Sequence, residues 1–125
     1  MNNKTKKVYG SIPGLPLSGA VRAGDYVFVS GQIPIGDDGK ILDGDVEAQT
    51  RIVMDRIVSL LREAECEMSD VIKCTCWLEN TKDFQNFNAV YSQYFPKDPP
   101  ARATVEAKLM VDAKVEVEAI AWKPI

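Results

Sequence analysis

Two charged residues near the C-terminus, Arg102 and Glu118, are the pair whose chemistry and spacing could support a reaction. Residues 102–109 alternate Arg102, Thr104, Glu106 and Lys108 with Ala103, Val105, Ala107 and Leu109. Residues 115–122 alternate Glu116, Glu118, Ile120 and Trp122 with Val115, Val117, Ala119 and Ala121. Period-two alternation marks both runs as strands, and their closeness in sequence suggests a hairpin. With its turn near Val111, Thr104 lies opposite Glu118, and Arg102 and Glu118 become diagonal neighbours on one face. Arginine grips a carboxylate through a planar fork of two hydrogen bonds, and glutamate can orient or deprotonate a water. The pair suits a small substrate with a carboxylate beside a reactive carbon. On spacing alone, an ordinary Arg–Glu surface salt bridge is the commoner reading.

The chain has no histidine. That removes Ser-His-Asp, Cys-His and paired-histidine ribonuclease chemistry, so proton transfer falls to carboxylate, tyrosine, lysine, cysteine or water. The cysteines are Cys66, Cys74 and Cys76. An odd count without an export signal argues against a disulfide framework, and Cys74-Thr75-Cys76 lacks further ligands for a metal, so buried apolar thiols are expected and no metal.

The elements that must position the pair follow from periodicity. Residues 10–19, rich in Gly, Pro and Ser, read as an irregular loop. Tyr26 to Ser30 is a strand ended by Gly31, and Gly36 to Gly39 is a turn. After the capping residues Asp43 to Asp45, apolar residues from Val46 to Ala64 recur every three or four positions, an amphipathic helix of about five turns. Val71 to Leu78 alternates as a strand, with Ile72, Cys74, Cys76 and Leu78 on one face and Val71, Lys73, Thr75 and Trp77 on the other. Thr81 can cap a helix over residues 82–95 that buries Phe84, Phe87, Tyr91, Tyr94 and Phe95, ended by Pro96, Pro99 and Pro100. The expected architecture is α+β: two helices cover one apolar sheet face, to which Ala103 and Val105 contribute. The other face carries Lys73, Thr75, Arg102, Thr104, Glu116 and Glu118 among Val71, Trp77, Ile120 and Trp122. That face is too apolar for solvent and too charged for a core, so a subunit interface with polar clefts is expected.

The bulk numbers bound the function. At 125 residues the chain is one domain's worth, read as residues 1–125 with 1–7 a loose arm, too small for a deep private pocket. A net charge of −3 gives no basic patch for nucleic acid or membrane. No apolar run is long enough for a signal or a span, so a soluble cytoplasmic protein is expected.

Six segments carry a resemblance: Ser30-Gly31-Gln32-Ile33-Pro34, Ala48-Gln49-Thr50-Arg51, Asp70-Val71-Ile72-Lys73, Phe87-Asn88-Ala89-Val90-Tyr91, Pro99-Pro100-Ala101-Arg102-Ala103-Thr104-Val105 and Val117-Glu118-Ala119-Ile120-Ala121. In order and spacing the chain, from about Val8 onward, resembles the Rid (YjgF) family, whose older label is L-PSP endoribonuclease. The resemblance implies a chorismate-mutase-like α+β fold, one sheet backed by two helices, in a homotrimer whose sheets form a central barrel with clefts between subunits. It implies hydrolysis of reactive enamines and imines, such as 2-aminoacrylate, 2-iminopropanoate and 2-iminobutanoate, to 2-keto acids and ammonia, without cofactor. By the same resemblance, Arg102 is the carboxylate anchor, Glu118 positions or activates water, and Ser30, Gly31 and Asn88 line the pocket. At two pocket positions this chain departs from the family's pattern: Leu17 replaces a tyrosine and Thr104 replaces a cysteine. Two other functions compete with deamination: a non-catalytic, carboxylate-binding or chaperone-like trimer, and a ribonuclease, against which the acidic balance and missing histidine speak.

Overall fold

The computed structural model describes residues 6–125. Its strands are β1 (Lys6–Ser11), β2 (Ser18–Ala23), β3 (Tyr26–Gln32), β4 (Val71–Leu78), β5 (Ala101–Glu106) and β6 (Val115–Trp122), and its α-helices are α1 (Val46–Glu63) and α2 (Phe84–Tyr91). They form one mixed sheet of order β1-β2-β3-β6-β4-β5, in which β4 and β5 are parallel and the other pairs antiparallel. Both helices cover the same face. The core between them holds Val27, Val29, Val53, Met54, Ile57, Leu61, Cys74, Cys76, Phe87, Val115 and Val117. This is the expected α+β layering.

Local chemistry explains the helices. Asp45 caps α1 by accepting the Ala48 amide at 2.8 Å. The second helix is narrower than 82–95: 3-10 turns at Thr81–Asp83 and Ser92–Tyr94 flank α2, and Asn80, rather than Thr81, accepts the Lys82 amide. Phe84, expected in the core, is 42% exposed. The Gly/Pro-rich stretch expected as loop is shorter than read: Lys6, Lys7 and residues up to Ser11 pair with Ser18–Ala23 as an antiparallel ribbon. The remainder of the expected N-terminal arm lies outside the described residues.

The expected β5–β6 hairpin does not form. β4 lies between the two strands, pairing Thr75 with both Ala103 and Glu118. The Ala107 amide continues β5 along β4 by donating to Leu78 O at 2.9 Å, and the Glu79 amide donates to Lys114 O at 3.0 Å. The fully buried Cys74 and Cys76 need a central position under the helices, and that requirement overrides closeness in sequence. Two bulges also shift strand phase. One extra residue at Ile72 puts Val71 inside and leaves Ile72 44% exposed, the reverse of simple alternation. The other, between Val29 and Gln32, places Ser30 and Gly31 together opposite Glu118.

Arg22 fastens one end of the sheet. It is 3% exposed. Its guanidinium donates to the carbonyls of Gly24 (3.2 Å), Lys123 (3.1 Å) and Ala64 (3.1 Å), tying β2 to the ends of α1 and β6. Carbonyls, not carboxylates, hold this charge. Arg22→Leu would leave the buried Ala64 carbonyl only the weak, long contact from the Cys66 thiol, and a loss of about 3 kcal/mol in urea unfolding is expected. Unfolding midpoints matching wild type would show the contacts to be dispensable.

Candidate functional site

Arg102 stands at the start of the edge strand β5, beside Cys74 of β4. Glu118 stands beside Thr75, the next residue of β4. Successive residues of a strand point to opposite faces, so Arg102 and Glu118 lie on opposite faces of the sheet. Their expected place on one face is overturned, and with it the Arg102–Glu118 salt bridge. The reason is local. Arg102 and Thr104 turn toward α2, where three aromatic rings accept the guanidinium, and the smaller Ala103 and Val105 take the open face.

The residues fall into two groups. In the first, the Arg102 guanidinium lies 4.9 Å from the ring centre of Tyr91, 5.6 Å from Phe84 and 5.7 Å from Phe87, a desolvated cation–π setting. Its Nη1 donates to Asn88 Oδ1 at 2.7 Å. Phe84, Asn88 and Tyr91 share one face of α2 at spacings of four and three residues, so the helix presents rings and amide to Arg102 as a unit. A cavity of about 290 Å³ opens here, lined by Asn88, Tyr91, Ser92, Phe95, Pro99, Pro100 and Arg102. Among the described residues no carboxylate pairs with Arg102. The Thr104 and Tyr91 hydroxyls nearby are buried without hydrogen-bond partners, and burial beside Cys74 pushes the Tyr91 phenol upward. Burial likewise pushes the Cys76 thiol up to about 12, which keeps it in the uncharged thiol form at neutral pH.

The second group lies on the open face. Ser30 Oγ donates to Ser18 O at 2.6 Å, which brings the β3 bulge against the β1–β2 turn where Leu17 stands, 46% exposed. Gly31 lies directly under the Glu116 carboxylate, and a Cβ there would collide with Glu116 Oε2. A side chain at this position would therefore have to displace the Glu116 carboxylate, whereas glycine lets it lie against the β3 backbone. Glu116 and Glu118 stand two residues apart on the same face of β6. Burial raises the Glu116 carboxyl above its ordinary value, and the like charge of Glu118 adds to it.

The sequence reading missed Glu116 as a site residue. The available signal was its position two residues before Glu118 on the same strand face; what singles it out is its contact with Gly31, which depends on the β3 bulge. Thus Arg102, Asn88 and Thr104 are together, Leu17, Ser30, Gly31 and Glu118 are together with Glu116, and one chain does not join the two groups.

The raised Glu116 carboxyl carries a stability consequence. Above the ordinary carboxylate value, the folded protein still holds a proton that the unfolded chain has released. The favourable contribution is present at low pH and is lost as pH rises through the folded-state value. Glu116→Gln is expected to raise Tm at about pH 7.5, with the gain narrowing toward about pH 4.5. A gain that stayed constant with pH would remove the raised carboxyl from the account.

The endoribonuclease L-PSP family model matches residues 11–123. The chain belongs to this family, also known as Rid or YjgF. A RutC family protein of Pyrococcus abyssi is 44% identical to this Rid-family chain over 110 residues, 86% of the chain and 87% of the relative. Reactive Intermediate Deaminase A, chloroplastic, of Arabidopsis thaliana is 38% identical over 108 residues, 85% of the chain and 58% of that protein. Among solved structures, the Rid-family protein YyfA of Yersinia pestis, of unknown function, has a TM-score of 0.90 at 34% identity and covers 94% of this chain and 99% of its own. E. coli TdcF with bound serine has a TM-score of 0.83 at 32% identity, covering 98% and 96%. The YjgF-type fold expected from the sequence is thereby established. Among the described residues no helix is long and apolar enough to cross a membrane.

Proposed function

We propose that this Rid-family chain hydrolyses small 2-imino or 2-enamino acids, of the 2-iminopropanoate and 2-iminobutanoate type, to 2-keto acids and ammonia. The observation that carries the reading is Arg102. Its guanidinium is held by Asn88 and three rings, faces a cavity, and has no carboxylate partner among the described residues. Such a group awaits an anion. Family membership with a reactive intermediate deaminase at 38% identity supports the reaction class.

Arg102 and the carboxylate pair lie on opposite faces, so a complete site requires two chains. The open face supports that assembly. Val8, Tyr26, Phe28, Ile72, Val105 and Trp122 are each between 43% and 49% exposed there, a larger apolar surface than a monomer normally shows to water. A second copy of the chain is the occupant we assign to it, in a closed homotrimer whose clefts pair Arg102 of one subunit with Gly31 and Glu116 of the next.

In such a cleft the substrate carboxylate docks on the free edge of the Arg102 fork. The imine carbon then lies over Glu116. Glu116 takes a proton from water as its oxygen bonds to that carbon. That proton passes to the imine nitrogen, completing the carbinolamine; the carbinolamine hydroxyl proton then moves by way of Glu116 to the same nitrogen as the C–N bond breaks, its electrons leaving on ammonia, and the C=O forms. One water is consumed and one ammonia released. A carboxyl raised above its ordinary value by burial is a better proton acceptor than a free one, which suits both steps. Holding an already electrophilic carbon beside water supplies most of the acceleration. The sequence reading assigns the water to Glu118. The contact with Gly31 favours Glu116, with Glu118 keeping its proton affinity high.

The test is ammonia release from enzymatically generated 2-iminobutanoate. Glu116→Gln is expected to lower kcat by about 10²-fold. Glu118→Gln is expected to cost less and to move the acidic limb of the pH–rate profile downward, because a like charge is removed. Equal losses with unmoved profiles would return the proton-handling role to the pair as a whole. Saturable 2-keto acid binding without turnover would favour the carboxylate-binding alternative.

A further inference from the structure

Another cavity lies away from Arg102 and Glu116. About 470 Å³ opens between α1 and the segment after β3. Arg56 projects into it, half-buried. Its Nε donates to Gln32 Oε1 at 3.1 Å, while its Nη groups have no hydrogen-bond partner and no carboxylate among the described residues. Gln32 is itself only 6% exposed, and its Nε2 donates to Ser30 O at 2.9 Å. A buried amide thus fixes the guanidinium with its fork turned to the cavity. Around it stand Asp37, Asp55 and Glu63, with Ile52 and Leu60 as an apolar wall. Asp55 is engaged by the Tyr94 hydroxyl at 2.6 Å. Asp37 and Glu63 are exposed and unengaged.

We propose that this cavity binds a cationic α-amino acid, with its carboxylate on the Arg56 fork, its amino groups toward Asp37 and Glu63, and its methylenes on Ile52 and Leu60. The charge pattern selects the class. A dicarboxylate meets three acidic residues with one cation to receive it. A plain diamine leaves the Arg56 fork unmatched and faces its positive charge. An amino acid carrying one carboxylate and two ammonium groups satisfies both ends. The site communicates with the β3 bulge through Gln32. Ligand tension on Arg56 reaches Ser30 through two hydrogen bonds, and the next residue, Gly31, underlies Glu116. This communication, though not the binding, rests on the function proposed above.

Calorimetry with L-lysine decides the matter without reference to turnover. It is performed on Arg102→Ala protein, so that the other carboxylate site is absent. One lysine per chain is expected, with 1,5-diaminopentane and L-glutamate at least about tenfold weaker. Arg56→Gln in the same background is expected to weaken lysine at least about tenfold. If that variant folds poorly, Asp37→Asn, on an exposed turn, is expected to weaken it by about threefold or more. Absence of saturable lysine binding, or binding equal in all variants, overturns the site. In otherwise wild-type enzyme, lysine is expected to change imine turnover, and the change is expected to vanish in Arg56→Gln. Binding with unaltered turnover upholds the site and overturns the communication.

Discussion

Arg102→Ala is expected to lower kcat/KM for 2-iminobutanoate by about 10²–10³-fold. Among the described residues the guanidinium is the only cation lining its cavity, and a carboxylate held by two parallel hydrogen bonds is fixed in angle as well as place. Arg102→Lys keeps the charge but loses the fork, so it should recover only a small part of the loss. Stability should fall by about 2 kcal/mol, since Arg102 shares no ion pair among the described residues but loses its contacts with Phe84, Phe87 and Tyr91. Asn88→Ala acts through Arg102: it removes the 2.7 Å contact that sets the fork, so KM should rise about tenfold with kcat largely kept. Wild-type kcat/KM in Arg102→Ala would sink the carboxylate-anchor role and leave Asn88 with a merely structural one.

The second large effect concerns which chain supplies which group. Arg102→Ala and Glu116→Gln proteins, each nearly inactive alone, are expected to regain activity when refolded or expressed together. In a statistical 1:1 mixture of closed trimers, each cleft draws Arg102 from one chain and Glu116 from its neighbour. The two intact groups then coincide in about one cleft in four, so about a quarter of wild-type activity should return. If one chain supplied both groups, every cleft would carry a lesion and nothing would return. Mixed trimers without recovery would therefore refute the two-chain cleft, and an active monomer would refute it more directly.

The same geometry bears on the two departures from the family's pattern. Leu17 lies with Ser30 and Gly31, and Thr104 lies beside Arg102 with a buried, unpartnered hydroxyl. In a two-chain cleft of the proposed kind they would stand on opposite subunits. Leu17 would make one wall apolar, and Thr104 places a buried hydroxyl where the family's pattern has a thiol. Neither would remove the carboxylate anchor or the proton carrier that the proposed function needs.

Much of this was legible in the residues themselves. Apolar spacing from Val46 to Ala64 gave α1, because one buried stripe every 3.6 residues has no other good solution. Alternation gave β4 and β6 and the two-faced sheet. On spacing alone Arg102 and Glu118 read as an ordinary salt bridge, and it was the six segments from Ser30 to Ala121, through their resemblance to the family, that singled the pair out. Tertiary structure decided which groups meet. Strand order placed β4 between β5 and β6, because the Cys74–Cys76 face had to lie under both helices, and closeness in sequence carries no information about that competition. Parity then separated Arg102 from Glu118, since neighbours across β4 differ by one residue and one residue reverses the face. The bulge at Ser30–Gly31 set Glu116 over Gly31, a contact that depends on one extra residue in one strand. Residue types announced an anion-binding arginine and an acidic partner. Only packing showed that the arginine belongs to the helix side and that the acid raised by burial is Glu116 on the opposite face; the second copy of the chain that would bring them together is part of the proposed function.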